Sequence, residues 1–194
     1  MDITLLKKGD HKAFAKLIDA TSSDIFNLAM KFTSDYNDSK DITQEVYIEA
    51  FKNIKKFREE SNIKTWLYRI TVNRSLNHIK KEKNKYSTVD IDSVGQNIFL
   101  NSKSQSDAEA KIENKEMKMA LEAALSKLPE NQRVAFLLKN HEDMSYKEIA
   151  EIMELSISAI ESLIFRAKAK LRVLLSNYYK NNFSLSQDFE TKNV

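Results

Sequence analysis

The sequence predicts an all-α fold: two small helical domains joined by a flexible linker, the C-terminal one a helix-turn-helix. Three observations carry this. The 194 residues contain two glycines, Gly9 and Gly95, and one proline, Pro129, too few for the positive-φ turns of a hairpin-built sheet. Lys, Glu, Ala, Leu and Ile are abundant, which favours helix. Apolar residues recur at steps of three and four along most of the chain, the period of an amphipathic helix.

From Ile3 to about Lys83 the pattern is helical. Phe14, Leu17 and Ile18 share one face, followed by Ile25, Leu28, Ala29 and Phe32. Ile42, Val46, Glu49 and Ala50 form the next run, in a helix reaching Phe57 that Asp38 or Ser39 is placed to cap. Trp66, Leu67 and Ile70 form another. From Asn84 to Asp107 the periodicity fades into Ser, Asn, Asp and Gly, which reads as a linker. The linker leans acidic, with Asp90, Asp92 and Asp107 against Lys85 and Lys103. Helical character resumes near Ala108, with Leu121, Ala124, Leu125 and Leu128 on one stripe. Pro129 suits the first position of a further helix, with Glu130 in its first turn. The resulting division is an N-terminal domain 1–83, a linker 84–107, a C-terminal domain 108–179 and a polar tail 180–194 expected to be disordered.

The stretch from Ser145 to Arg172 carries the strongest local signal. Ser145 precedes Glu148 by three residues and Ser158 precedes Glu161 by three, the spacing of a capping box at each helix start. Two capped helices joined by a short turn suggest a helix-turn-helix, whose second helix enters the DNA major groove. In that helix Ile160, Ile164, Ala167, Leu171 and Leu174 form the core stripe. The other side carries Ser158, Glu161, Ser162, Phe165, Arg166, Lys168, Lys170 and Arg172. Arg166 suits bidentate bonding to guanine or a phosphate, and Glu161 can accept from cytosine N4 or simply close its cap. The bland alternative is a solvated amphipathic helix in a bundle.

A second cluster lies at 57–85. Arg69, Asn73, Asn77 and Lys81 fall at steps of four, on one helix face, with Lys80, Lys83 and Lys85 adding charge. Phe57, Trp66 and Tyr68 supply aromatic surface. Aromatics beside a basic, amide-bearing face suit single-stranded DNA, where bases stack and the backbone is held electrostatically. Spacing alone favours the plainer alternative, that Phe57 and Trp66 are core and the charges merely solvated.

Several functions find no support. The three histidines, His11, His78 and His141, are scattered, and no Gly-rich loop could cradle a phosphate. No catalytic residue, metal or cofactor is therefore expected, and the chain does not read as an enzyme. There is no cysteine, so neither a disulfide framework nor a thiolate metal site, which suits a cytoplasmic protein. The N-terminus lacks a signal-peptide core. The run VAFLL at 134–138 is far short of the ~20 residues that span a bilayer, so no membrane insertion is expected. A net charge of +3 is too mild to demonstrate nucleic-acid binding by itself.

Four blocks together resemble the extracytoplasmic-function class of sigma factors, the promoter-recognition subunits of bacterial RNA polymerase. GDHKAFAKLI (9–18) looks like the opening helix of that family, and DSKDITQEVYIEAF (38–51) like its Asp-Ala-Glu-Asp-x-x-Gln-Glu-Val-Phe block. FREESNIKTWLYRITVN (57–73) is similar to its Phe-Arg…Trp-Leu-Tyr-Arg-Ile-x-x-Asn block. LPENQRVAFLLK (128–139) and the helix-turn-helix resemble its C-terminal domain. The resemblance implies that Asp41, Gln44 and Glu45 dock a coiled coil of core RNA polymerase. It implies that the loop from Phe57 to Lys64, with Trp66, Arg69, Asn73 and Arg74, melts the promoter −10 element and captures an unstacked base; Asn77 and Lys81 extend that face. It implies that Ser158, Glu161, Ser162, Phe165, Arg166 and Lys170 meet duplex −35 DNA. The implied partners are core polymerase and promoter DNA, duplex and single-stranded, and the family also admits an anti-sigma factor. Lys40 stands where the family often has an acid, and Glu154 where it often has Gly; Glu161 and Leu163 replace residues that are often basic.

The alternatives are a helix-turn-helix transcriptional regulator with an N-terminal helical sensing domain, and a DNA-processing enzyme such as a recombinase. The latter would need a nucleophile with a cluster of acids or arginines. The WLYRI block separates the former from a sigma factor, because a regulator has no need of a melting surface.

Overall fold

A computed structural model describes residues 2–87, 108–141 and 144–183. Among these residues every regular element is helical. The helices are α1 (Ile3–Lys7), α2 (His11–Thr33), α3 (Tyr36–Asn53), a 3-10 turn (Ile54–Lys56), α4 (Ile63–Ser87), α5 (Ala108–Ser126), α6 (Glu130–Lys139), α7 (Tyr146–Met153) and α8 (Ile157–Phe183). The chain divides into two compact units, residues 1–102 with 147–155, and residues 103–146 with 156–194.

The first unit is built on α2, α3 and α4, which pack on one another. Leu17, Ile25, Leu28, Ala29 and Phe32 of α2 meet Ile42, Val46 and Ala50 of α3, and Leu67, Ile70 and Val72 of α4, all buried. The apolar periods read from the sequence mark these core faces, although Ile18 and Trp66 are only half-buried. Two buried hydroxyl pairs fix the register of α2 and α3: Thr21 with Tyr47, and Thr33 with Ser39, each at 2.7 Å. Such groups must be paired to be buried at low cost.

Caps explain the boundaries. Asp2 accepts the Thr4 and Leu5 N–H groups at the start of α1. Gly9 ends α1 at φ 78, with its N–H on the Leu6 carbonyl and the Asp10 N–H on the Leu5 carbonyl. That is a Schellman motif, where glycine carries no Cβ penalty. Asp10 then caps α2. Asp35 caps α3 by accepting the Asp38 N–H at 2.9 Å, so neither Asp38 nor Ser39 is the cap. Asp38 lies in the first turn, and Ser39 is buried. α3 stops at Asn53, short of Phe57, and the chain tightens into the 3-10 turn.

In the second unit Ala124 of α5 and Leu128, in the turn after it, pack with Ala167 and Leu171 of α8, flanked by Leu125, Phe136, Leu174 and Leu175. Leu121 is more exposed than the sequence stripe predicts. Pro129 is the N-cap of α6 rather than its first residue, and Glu130 takes that place. α4 continues to Ser87 and α8 to Phe183, past the sequence-derived boundaries of linker and tail. The remainder of those two segments lies outside the described residues.

Candidate nucleic-acid interface

α7 ends where Glu154 adopts φ 56 and the Leu155 N–H reaches the Ala150 carbonyl at 3.1 Å. This is again a Schellman closure, with Glu where Gly is usual, at about 1–2 kcal/mol of backbone strain. Ser156 caps α8: its Oγ accepts the Ala159 N–H at 3.2 Å and its carbonyl the Ile160 N–H. Ser158 therefore lies inside the first turn, its hydroxyl 3.2 Å from that of Ser156. The expected Ser158–Glu161 capping box does not form. Glu161 lies one turn deeper and is exposed.

Of the core stripe of α8, Ile160, Ile164, Ala167 and Leu171 are buried and Leu174 is half-buried. On the opposite side Ser158, Glu161, Phe165, Arg166 and Lys170 are exposed and Ser162 is half-buried. Phe165 stands 74% exposed and Val173 69%. Large apolar side chains that open to water on a helix carrying Arg166, Lys168, Lys170 and Arg172 suit contact with base edges and methyls between phosphate contacts. In α6, burial lowers the pKa of Arg133, opposed by Glu130.

In the first unit α4 positions the second surface. Asn62 caps it, accepting the Lys64 N–H on its side chain and the Trp66 N–H on its carbonyl. Phe57 is buried, and its ring lies 5.3 Å from that of the half-buried Trp66 at 41°, so Phe57 backs Trp66. Lys64 pairs with Asp24 at 2.8 Å and lies over the Tyr68 ring. Arg69 donates to the Glu154 carboxylate at 2.7 Å and the Glu151 carbonyl at 2.6 Å, within the first unit. Asn73, Asn77 and Lys81 are exposed. Arg74 turns to α3, held by Glu49 at 2.5 Å and Glu45 at 3.3 Å. Of the eight residues expected on the −10 surface, Asn73, Asn77 and Lys81 are open and Trp66 partly so. Lys64, Arg69 and Arg74 are engaged with protein acceptors.

On α3, Asp41, Gln44 and Glu45 are exposed. Ile48 and Phe51 join them, 54% and 40% exposed. Periodicity did not single these two out, because an apolar residue off the core stripe looks like noise in one sequence. An open groove of about 370 Å³ is lined by Glu45, Ile48, Glu49, Lys52, Asn53 and Arg74. Behind this face Tyr47 is buried, which raises its pKa, as does the charge of Asp24; the Thr21 hydroxyl opposes the shift. Among the described residues no group of three or more His, Cys, Asp or Glu could hold a metal ion, and no helix is long and apolar enough to cross a membrane.

Residues 17–85 match the family model of sigma-70 region 2, and residues 118–171 that of sigma-70 region 4. The chain is 31% identical to the ECF RNA polymerase sigma-E factor of Haemophilus influenzae over 166 residues, covering 84% of this chain and 87% of that protein. It is 30% identical to the ECF RNA polymerase sigma factor SigW of Bacillus subtilis over 174 residues, 88% of this chain and 92% of that protein. Two solved structures share the fold. One is CnrH in complex with the cytosolic domain of CnrY, with TM-score 0.63, 22% identity, and coverage of 90% and 95% of the two chains. The other is sigma factor RpoE with the anti-sigma factor NepR from Bartonella quintana, with TM-score 0.61, 23% identity, and coverage of 85% and 98%. With region 2 on the α2–α4 unit, region 4 running into α8 and such relatives along most of its length, the chain belongs to the extracytoplasmic-function class of RNA polymerase sigma factors.

Proposed function

We propose a division of labour among three surfaces. The exposed face of α3, with Asp41, Gln44, Glu45, Ile48 and Phe51, docks core RNA polymerase. The loop between the 3-10 turn and α4, with Trp66 backed by Phe57 and with Asn73, Asn77 and Lys81 along α4, opens the −10 element and holds an unstacked non-template base. The outer face of α8, from Ser158 to Lys170, reads duplex −35 DNA. Lys64, Arg69 and Arg74 support this geometry from within and meet phosphates only by exchanging their present partners. The chain contributes binding energy rather than bond chemistry, so polymer synthesis belongs to the polymerase and the protein acts beside it in the cytoplasm. An anti-sigma factor bound across these surfaces would silence them, as the partner named with the Bartonella quintana protein suggests.

The observation that carries this reading is the side chain of Phe165, 74% exposed on a helix whose other face buries Ile160, Ile164, Ala167 and Leu171. A lone exposed aromatic is ordinary by itself; its place among Arg166, Lys168, Lys170 and Arg172 on one helix is what supports a nucleic-acid partner. Separable losses test the scheme. Asp41→Lys with Gln44→Ala should abolish core-polymerase binding and leave −35 duplex binding intact. Loss of both together, with the fold preserved, would reject the assignment of α3.

A further inference from the structure

The loop that follows the 3-10 turn is anchored at both ends, by buried Phe57 and by the Asn62 cap. Its middle, Arg58, Glu59 and Glu60, is exposed. Glu59 lies there at φ 62, a conformation that side chains other than Gly rarely adopt and that surrounding contacts must hold in place. One contact does so from 52 residues away: Lys7 Nζ lies 2.5 Å from Glu59 Oε1. Lys7 is itself fixed. It ends α1, which Asp2 caps, Gly9 closes and Leu6 anchors with a fully buried side chain, and α1 packs on the 3-10 turn.

We infer that Lys7 is a positioning residue for base capture: through Glu59 it holds the loop in the conformation that forms the −10 base pocket. This rests on the proposed role of that loop. Charge points the same way. Glu59 and Glu60 are adjacent acids on a surface that must receive a polyanion, and Lys7 neutralises one of them while leaving the other outward. The pair is half-exposed, so it biases a population rather than holding the fold together. The ceiling for an exposed ion pair corresponds to about a fivefold shift.

The test uses the full chain bound to core polymerase. The readout is discrimination: affinity for the single-stranded −10 sequence that the wild-type holoenzyme prefers, divided by affinity for the same strand with the unstacked base replaced. This ratio is insensitive to a general change of charge. Lys7→Glu should lower it by about three- to fivefold, the ceiling set by the exposed pair. Lys7→Glu combined with Glu59→Lys, which reverses the pair at constant net charge, should restore it to within about twofold, with −35 duplex affinity and melting temperature unmoved throughout. If Lys7→Glu lowers the melting temperature, Lys7→Gln replaces it and should lower the ratio likewise, while Lys7→Arg, which keeps the pair, should hold it within about twofold of the unaltered chain. Trp66→Ala serves as the reference. If it lowers discrimination while Lys7→Glu does not, or if the reversed pair fails to restore the ratio, the inference is wrong and the role of the loop stands. If Trp66→Ala leaves discrimination unchanged, the role of the loop fails, and this inference with it.

Discussion

Replacing Phe165 by Ala isolates what α8 does outside the fold. The ring lies on the face opposite Ile160, Ile164, Ala167 and Leu171, and 74% of it is exposed. Its loss should change folding stability by no more than about 0.5 kcal/mol, the usual range for surface positions. A fully covered aromatic side chain buries about 150–250 Å². The exposed share leaves roughly 110–190 Å² for DNA to cover, a ceiling of ~3–5 kcal/mol at about 25 cal/mol per Å². If DNA covers roughly a third to a half of that area, the expected loss is ~1–2 kcal/mol, or about 5- to 30-fold in Kd. Fluorescence anisotropy with a labelled −35 duplex measures it across a salt series. Because Phe165 is uncharged, the slope of log affinity against log salt should stay constant while the affinity falls. A drop of several degrees in melting temperature with unchanged DNA affinity would refute the reasoning, since it would place Phe165 in protein packing.

Three further outcomes follow from the same geometry. Arg166→Ala should weaken duplex binding by ~1–3 kcal/mol while sparing core-polymerase binding, and a fall of about 0.9 in the salt slope would identify a phosphate rather than a base as its contact. Trp66→Ala should cost ~1–3 kcal/mol of stacking on the unstacked strand, so permanganate footprinting should show open-complex formation impaired more than duplex binding. For Tyr47, burial raises the pKa above 10.0, so the unfolded chain releases the phenol proton first. Stability is therefore fully present below pH ~10 and falls as pH rises through and beyond it, by at most about 1.4 kcal/mol per pH unit. Tyr47→Phe should flatten that decline in alkaline urea titrations relative to the unaltered chain.

The helices were legible in the sequence because their buried faces repeat at the helical period. Leu17, Ile25, Val46, Leu67, Ile160 and Leu171 are all core. Their starting points were less so, because several residues of one kind compete for a cap. Ser156 and Ser158 are two residues apart, and the Glu at 161 favoured the second. The left-handed closure of α7 at Glu154 leaves room for only Leu155 before the cap, so Ser156 takes it. Asp35 likewise precedes Asp38, and Tyr36, Asn37 and Asp38 look like turn residues until the cap at Asp35 places them in the first turn. The basic and aromatic residues of 57–81 were visible as a cluster, but their state was not. Spacing puts Arg69 and Arg74 near a face without showing that Glu154, Glu45 and Glu49 already hold them. Such pairs cross 25 to 85 residues of chain, and periodicity carries no information at that range.

The most direct measurement is transcription reconstituted from core RNA polymerase, with this chain as the sole specificity subunit and genomic fragments as templates. The account predicts discrete start sites preceded by two spaced elements. With Phe165→Ala, initiation at those sites should fail at duplex binding; with Trp66→Ala, it should fail at strand opening. Promoter-independent transcription, or a single defect shared by both variants at the same step, would contradict it.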